Sequence, residues 1–291
     1  MGAIDEVRRY YDANTPSFER YGQSGGVGAV RRAVWAEGVA TRDEAFRYVD
    51  RFLLAALREL APRFEPPLRA FDFGCGVGGS LAFLAAHEPI EGVGLTLSAR
   101  QAELARARFE AAGIAGRVRC VEASYLDPPP DLGRAHLVFA VEAFVHSPDP
   151  AAFFASAAER LAPGGRLVVC DDFLTPAGER PRSAREARAI DEFRRGWLAA
   201  SLVTAARADE LAAAAGLAPV EGLSLTARLE LGRPRDRFIA ALVALGRRLP
   251  LRGYYWMSLL GGNALQAGLQ GGLIDYRIGV WQKGQAAGPP R

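Results

Sequence analysis

Between residues 68 and 173 the chain alternates short apolar runs with stretches of helical spacing. The apolar runs predict five strands, at 69–74, 92–97, 118–123, 135–141 and 166–170. The stretches between them predict helices, at 78–87, 98–112 and 149–161. Such alternation is typical of a parallel sheet with helices on both faces. The pattern therefore predicts a Rossmann-like, doubly wound α/β fold, which binds ligands at the carboxyl ends of its strands.

The segment before the first strand has no strand-like runs. Residues 1–66 have helical spacing and predict a helical N-terminal cap over the ligand end of the sheet. Within it we expect a helix break at 14–17, a glycine-rich flexible loop at 22–28, and a helix at 41–60 with Thr41 as its N-cap.

The C-terminal part is less regular. A helix is predicted at 207–215, and two further strands, at 219–226 and 274–283, bring the mostly parallel sheet to seven strands. We expect one sheet domain over 67–283 with two inserted lid segments and a disordered tail after it. The lid segments and the tail are 174–206, 233–272 and 284–291.

Composition excludes several functions. The 291 residues carry a net charge of +3, too little to indicate a nucleic-acid partner. No apolar run is long enough to span a bilayer, so we expect no stable membrane insertion. The three cysteines and three histidines have no metal-type spacing, so no metal site is predicted. We expect a cytoplasmic location, and the sequence is compatible with a homo-oligomer.

The glycine-rich turn after the first strand is the first chemical signal. Residues 71–80 read Phe-Asp-Phe-Gly-Cys-Gly-Val-Gly-Gly-Ser, and Gly74, Gly76 and Gly79 fit the dinucleotide fingerprint. A nicotinamide site also expects an acidic residue at the end of the second strand, where this chain has none. An NAD(P) oxidoreductase is thus one open hypothesis, but the turn alone does not decide it.

Four stretches in order resemble the class I S-adenosylmethionine (SAM) dependent methyltransferases. They lie at 72–78, 121–123, 139–142 and 161–167. More narrowly, 94–98 followed by Gln101, and 141–148, resemble the sterol, tocopherol and cyclopropane-lipid methyltransferases, near which the bacterial prenyl-diphosphate C-methyltransferases fall. The resemblance implies SAM as cofactor and a lipophilic small-molecule acceptor.

The resemblance also implies which residues bind the cofactor. Those assigned to its methionine part are the turn glycines Gly74, Gly76 and Gly78. Those assigned to the ribose, in place of the missing carboxylate, are Thr96, Leu97 and Gln101.

The remaining cofactor residues come from other motifs of the same resemblance. Glu122 is expected to accept from the adenine amino group, and the N–H of Ala123 to donate to the ring. Tyr11 resembles an N-terminal tyrosine that closes over the cofactor. Two further motif residues assigned to the same site are Asp72 and Val141.

Glu142 and His146 are the catalytic candidates. Methylation of an alkene carbon leaves a carbocation, and a carboxylate beside the methyl group would stabilise it and remove a proton. His146 lies four residues later, where a helical turn would place it beside Glu142, to orient that carboxylate or to act as base for a hydroxyl acceptor.

The expected function is C-methylation of an isoprenoid-like alkene, either a prenyl diphosphate or a terpenoid, in specialised metabolism. Alternatives are a small-molecule O-methyltransferase with His146 as base, and a SAM-binding scaffold without chemistry. Mg²⁺ is expected only if the acceptor is a diphosphate. Aromatic candidates for cation stabilisation are Trp197, Tyr254, Tyr255 and Trp256. Candidates for gripping a diphosphate are Arg182, Arg185, Arg188, Arg194 and Arg195.

Overall fold

Seven strands form one sheet at the centre of the molecule. The computed structural model describes residues 3–21, 31–247, 249–251 and 253–285. The strands are β1 Leu68–Phe73, β2 Ile90–Thr96, β3 Val118–Glu122, β4 Ala135–Val141, β5 Leu161–Leu174, β6 Leu217–Ser224 and β7 Ile274–Lys283. Their order is β3-β2-β1-β4-β5-β7-β6. The first five run parallel, and β7 is antiparallel to both β5 and β6, which confirms the mostly parallel Rossmann-like sheet.

Helices cover both faces of this sheet. They are α1 Ala3–Tyr21, α2 Arg42–Phe46, α3 Tyr48–Leu60, α4 Gly79–His87, α5 Ala99–Ala111, α6 Pro150–Arg160, α7 Pro176–Glu179, α8 Ala184–Gly196, α9 Ala205–Ala214, α10 Pro234–Gly246 and α11 Tyr254–Gln270.

The core is divided by the sheet into two apolar layers. In β4, Leu137 and Phe139 join the layer under α3, α4 and α5, whereas Val138 and Ala140 join the layer under α6 and α9. Because side chains of a strand alternate between faces, a strand buried on both sides must be apolar at nearly every position. This explains why the central strands are continuous apolar runs.

Three local predictions differ from the structure. The predicted break at 14–17 is wrong: α1 keeps helical backbone on both sides of Pro16, although a proline removes one helical hydrogen bond. The helix predicted at 41–60 is divided at Arg47, although Thr41 caps it as expected, in a capping box. The fifth strand is longer than predicted because β7 pairs with it as far as Leu174.

Other predicted segments now have bounds. The segment 233–272 forms α10 and α11, and 174–206 contains α7 and α8. The predicted loop at 22–28 lies outside the described residues, as does most of the predicted tail, from 286 onward.

Candidate active site

The carboxyl ends of the parallel strands surround a cavity of about 570 Å³. It lies where the chain order reverses, since β1 has β2 on one side and β4 on the other. Such a switch point is the usual ligand site of an open α/β sheet. Side chains of α1, the pair Arg31 and Arg32, and Trp197 border the cavity from outside the sheet.

The glycine turn gives this cavity a backbone wall. Gly74, Gly76 and Gly78 all have positive φ, at 92°, 53° and 77°. A Cβ on Gly74 would lie 2.4 Å from the Cβ of Ala143, so the turn packs tightly against the segment that follows β4. Gly76 lines the cavity, and a Cβ there would meet nothing within 4 Å. A ligand can therefore approach this backbone closely.

Gly78 differs from its two neighbours. It does not line the cavity, and a Cβ there would meet the ring of Phe109 at 2.7 Å. It is the left-handed residue that starts α4. The structure thus gives Gly78 a packing role, while Gly79 and Ser80 bring the N-terminus of α4 to the cavity, where it favours an anionic group.

Asp72 and Arg31 lie under the turn. Burial raises the pKa of Asp72 well above its usual range, and the charge of Arg31 opposes that rise. The Arg31 guanidinium forms an ion pair with Asp50, with 2.7 Å between Nη1 and Oδ1, and donates to Ser80 Oγ at 3.1 Å. Arg31 was not predicted from the sequence.

The end of β2 carries the residues predicted for the ribose. Thr96, Leu97 and Gln101 all line the cavity. The Thr96 hydroxyl donates to Gln101 Oε1 at 2.9 Å, which fixes both side chains. Helix α1 is tied to this edge, because Ser98 Oγ donates to Asp12 Oδ1 at 2.5 Å. A ribose contact at these residues stays a prediction.

The end of β3 fits the adenine prediction less well. Ala123 lines the cavity, but its N–H donates to the Thr96 carbonyl at 3.0 Å. The expected donation from this N–H to the adenine ring stays a prediction, and it would require the N–H to leave or share the Thr96 carbonyl. Glu122 is exposed and lies outside the cavity lining, because β3 is the edge strand of the sheet.

Glu142 is held firmly at the end of β4. Val141 and Glu142 both line the cavity, and Glu142 has a left-handed backbone with φ of 52°. Its Oε1 accepts from the Arg32 backbone N–H at 3.0 Å and from the Tyr276 hydroxyl at 2.9 Å. The side chain is 16% exposed, so it is largely shielded from water yet borders the cavity.

Arg32 organises the groups around Glu142. Its guanidinium donates to both carboxylate oxygens of Asp172, each at 2.6 Å, and lies over the Tyr276 ring, 4.3 Å from the centroid. Neither Arg32 nor Tyr276 was predicted. The sequence did carry a signal for the acidic partner of Arg32, since Asp171 and Asp172 interrupt the otherwise apolar run 167–174.

His146 lies on a short 3-10 turn that follows Glu142. Its Nε2 is 2.7 Å from the Tyr11 hydroxyl, and both residues line the cavity. Burial lowers the pKa of His146 to about 4, so the imidazole is neutral at neutral pH. Among the described residues, the Arg32 backbone and the Tyr276 hydroxyl donate to the Glu142 carboxylate and His146 does not, so a role of His146 in orienting Glu142 stays a prediction.

The predicted aromatic and arginine sets are mostly away from the cavity. Trp197 lines it, with its Nε1 donating to the Ser258 carbonyl at 3.1 Å. Tyr254, Tyr255 and Trp256 do not line it. The five arginines predicted to grip a diphosphate are also absent from the lining of this cavity.

The described residues hold neither a metal-binding cluster nor a membrane-spanning helix. No group of three or more His, Cys, Asp or Glu side chains is arranged to hold a metal ion. No helix there is long and apolar enough to cross a bilayer.

Comparison with known proteins identifies the domain. Residues 70–165 match a family model described as a methyltransferase domain. The tocopherol O-methyltransferase of Arabidopsis thaliana is 35% identical over 128 residues, which are 43% of this chain and 36% of that protein. Cycloartenol-C-24-methyltransferase 1 of Oryza sativa subsp. japonica is 28% identical over 202 residues, 66% of this chain and 53% of that protein. The chain thus spans about a third to a half of these relatives' lengths.

Solved structures show the same fold. A geranyl diphosphate methyltransferase in complex with GPP and sinefungin has a TM-score of 0.74 and 20% identity, and the match covers 97% of this chain and all of that one. Together with the glycine turn, these findings show that residues 70–165 form a methyltransferase domain similar to those of the class I SAM-dependent methyltransferases. Within that class it is similar to the tocopherol and sterol methyltransferases, as its motifs predicted. The cofactor of this class is SAM, whereas the glycine turn alone was also compatible with a nicotinamide dinucleotide.

Proposed function

We propose that this protein transfers a methyl group to an alkene carbon of a lipophilic, isoprenoid-like acceptor. The observation that carries the proposal is Glu142, a carboxylate fixed by Arg32 and Tyr276 at the wall of the cavity. Among the relatives, a cycloartenol C-24-methyltransferase supports methylation at carbon.

The cavity fits the cofactor that the family implies. Gly76 leaves its backbone open to the cavity, and the N-terminus of α4 can accept the cofactor's carboxylate. Thr96 and Gln101 present hydroxyl and amide groups at the end of the neighbouring strand β2, with Leu97 and Val141 as apolar lining. In this proposal Tyr11, hydrogen-bonded to His146, closes the N-terminal side.

The chemistry needs a positioned base. When bound, SAM supplies an electrophilic methyl group on a sulfonium. The alkene π electrons form the new C–C bond as the C–S bond breaks, which leaves a positive charge on the adjacent acceptor carbon. We propose that Glu142 stabilises this charge and accepts a proton from a neighbouring carbon, so that the alkene is restored. The Glu142 side chain is only 16% exposed, so little water reaches the cation beside it, which limits quenching.

The charges of the cavity favour an uncharged terpenoid over a prenyl diphosphate. Among the described residues three arginines line it, and two are already neutralised: Arg31 by Asp50 and Arg32 by Asp172. The third, Arg108, is on α5, the helix that follows the predicted ribose motif. The segment 22–30, which precedes Arg31, has no charged residue in its sequence. A diphosphate would have to bring Mg²⁺ to offset its charge near Glu142 and Asp172.

Methyl transfer from isotopically labelled SAM tests this function. The acceptors are a sterol-like triterpene, prenyl diphosphates with and without Mg²⁺, and phenolic natural products, with product NMR to locate the label. We expect label on an alkene-derived carbon of an uncharged acceptor. Glu142→Gln should abolish turnover while SAM affinity and thermal stability persist. The matched control is Glu110→Gln, on α5, whose side chain is exposed and outside the cavity.

Two outcomes would reject the proposal. Label on oxygen would rule out the carbocation mechanism. Only a mild loss of turnover in Glu142→Gln would show that Glu142 is not the required base. Tight SAM binding without turnover of any acceptor would favour a scaffold without chemistry.

The second candidate is an O-methyltransferase in which His146 is the base. The observation in its favour is the contact of His146 with Tyr11 at the cavity wall. A relative that is a tocopherol O-methyltransferase supports it as well. Against it, an imidazole with a pKa of about 4 is a weak base for a hydroxyl acceptor at neutral pH.

The domain division also remains our proposal. We propose that 1–66 caps the cavity and that 174–206 and 233–272 act as lids over a sheet domain at 67–283. The cavity-lining residues of α1 support the cap, and Trp197, directly after α8, supports the first lid. The second lid is supported only indirectly, by the contact of Tyr254 with the cavity-lining Tyr10.

A further inference from the structure

A stripe of large apolar side chains is exposed on α10. Phe238, Leu242, Leu245 and Leu249 are 65%, 46%, 60% and 54% exposed. The three on α10 are spaced at i, i+4 and i+7, and so lie within about 60° of one another around the helix axis, while Leu249 lies in the turn after the helix. We call these four residues the α10 face. In the described part of the chain, Val220 alone among the exposed large apolar side chains lies outside residues 238–255.

The surroundings of the α10 face are basic. Residues 233–252 contain six arginines and one acidic residue. Arg235 and Arg237, in the first turn of α10, are exposed. Arg233 and Arg247 have acidic partners, Asp236 and Glu192. After these two pairs are counted, the segment still carries an excess of positive charge beside an apolar surface.

We propose that the α10 face docks on the surface of an anionic lipid membrane. An interfacial helix combines an exposed apolar stripe with arginines that attract anionic headgroups. Charge also argues against a second copy of this chain as the occupant. A two-fold interface would place the same surface on both sides, and so would bring the arginine-rich segment against its own copy.

The α10 face is connected to the cavity. The Trp256 ring, in the first turn of α11, packs where a Cβ on Gly246 would lie, which joins α11 to the end of α10. Tyr254, at the start of α11, makes an edge-to-face contact with Tyr10, with 6.2 Å between centroids, and Tyr10 lines the cavity. Membrane docking would therefore hold the cavity beside the phase in which a lipophilic acceptor partitions. This last step rests on the proposed function, whereas docking itself does not.

Vesicle co-sedimentation of the full chain tests the docking. The probes are vesicles of phosphatidylcholine alone and of phosphatidylcholine mixed with phosphatidylglycerol. We expect binding to the mixed vesicles that weakens with added salt. Leu242→Ser combined with Leu245→Ser should lower the partition coefficient by about tenfold or more. Val220→Ser, which removes an exposed apolar side chain from β6, should bind as the unchanged protein does.

The outcomes separate docking from catalysis. Equal circular-dichroism melting of the variants shows that any loss is not unfolding. Failure to bind mixed vesicles, or equal binding by the double serine variant, would overturn the proposal. So would a self-association in sedimentation velocity that the double variant abolishes without any vesicle binding. Because the assay needs no turnover, loss of methyl transfer would not affect its result.

Discussion

His146 makes the stability of this protein depend on pH in a way that can be calculated. The imidazole is buried, and its pKa falls from the ordinary 6.5 to about 4. The unfolded chain therefore binds a proton at a higher pH than the folded chain does. The stabilisation is fully present above pH 6.5 and is lost as the pH falls towards 4.

The magnitude follows from the two pKa values. At about pH 5 the unfolded imidazole is almost fully protonated and the folded one about a tenth protonated. The free energy of unfolding should then be about 2 kcal/mol lower than at pH 8 because of this one group, and about 3 kcal/mol lower at pH 4. Other groups titrate in this range, so the difference between the protein and a variant isolates the contribution of His146.

Urea unfolding of the protein and of His146→Gln checks this value. Glutamine is uncharged at every pH, and its amide oxygen can still accept from the Tyr11 hydroxyl. The stability difference between the two proteins should shrink by about 2 kcal/mol from pH 8 to pH 5. His87→Gln is the control, because that imidazole is exposed at the end of α4. A difference for His146→Gln that stays constant with pH would refute the reasoning.

Three further predictions concern the neighbouring groups. Tyr276→Phe should lower kcat for methyl transfer by about tenfold or more at unchanged KM, because Glu142 loses a hydroxyl donor worth about 1.5–3 kcal/mol; unchanged kcat in steady-state assays would contradict this. Gly74→Ala should abolish SAM binding in calorimetry, because its Cβ would meet that of Ala143 at 2.4 Å, and near-normal affinity would count against a tight turn. Asp50→Asn should cost about 3–5 kcal/mol in urea unfolding, since it leaves a buried arginine unpaired; a cost below about 1 kcal/mol would show that water reaches it.

Much of the central fold could be predicted because its information is local. The bounds of β4 and β7 agree with the apolar runs at 135–141 and 274–283. Parallel strands joined by helices place their carboxyl ends together, so motifs distant in sequence were expected at one edge. The cavity there is lined by Gly74, Thr96 and Glu142, from three different strand ends.

The partners of Glu142 could not be predicted in the same way. Arg32 lies 110 residues before it and Tyr276 lies 134 residues after it. Tyr276 reaches the site because β7 inserts, antiparallel, between β5 and β6. Nothing in the local pattern of a final strand indicates which neighbours it pairs with, and an arginine after a glycine-rich segment carries no signal of its own in so arginine-rich a chain.

The adenine motif shows what a strand-end pattern can predict and what it cannot. The pattern located β3, and Ala123 reaches the cavity. Yet β3 is at the edge of the sheet, so Glu122 projects into solvent, and the ladder continues far enough for the Ala123 N–H to bond to Thr96. Edge position and ladder length depend on the whole sheet, so a motif cannot fix the direction of one side chain.

The spacing of Glu142 and His146 did not predict the hydrogen-bond partners that each side chain has, and the reason lies in the backbone. A spacing of four residues puts two side chains on one face only if the helix between them is continuous. Glu142 has φ of 52°, and the 3-10 turn that contains His146 begins only at Phe144. The left-handed residue separates the two side chains: one bonds to Tyr276 and Arg32, the other to Tyr11. A non-glycine residue held in this conformation is costly, and such strain is concentrated at functional sites, which independently favours Glu142 as the residue that the surrounding structure is built to position.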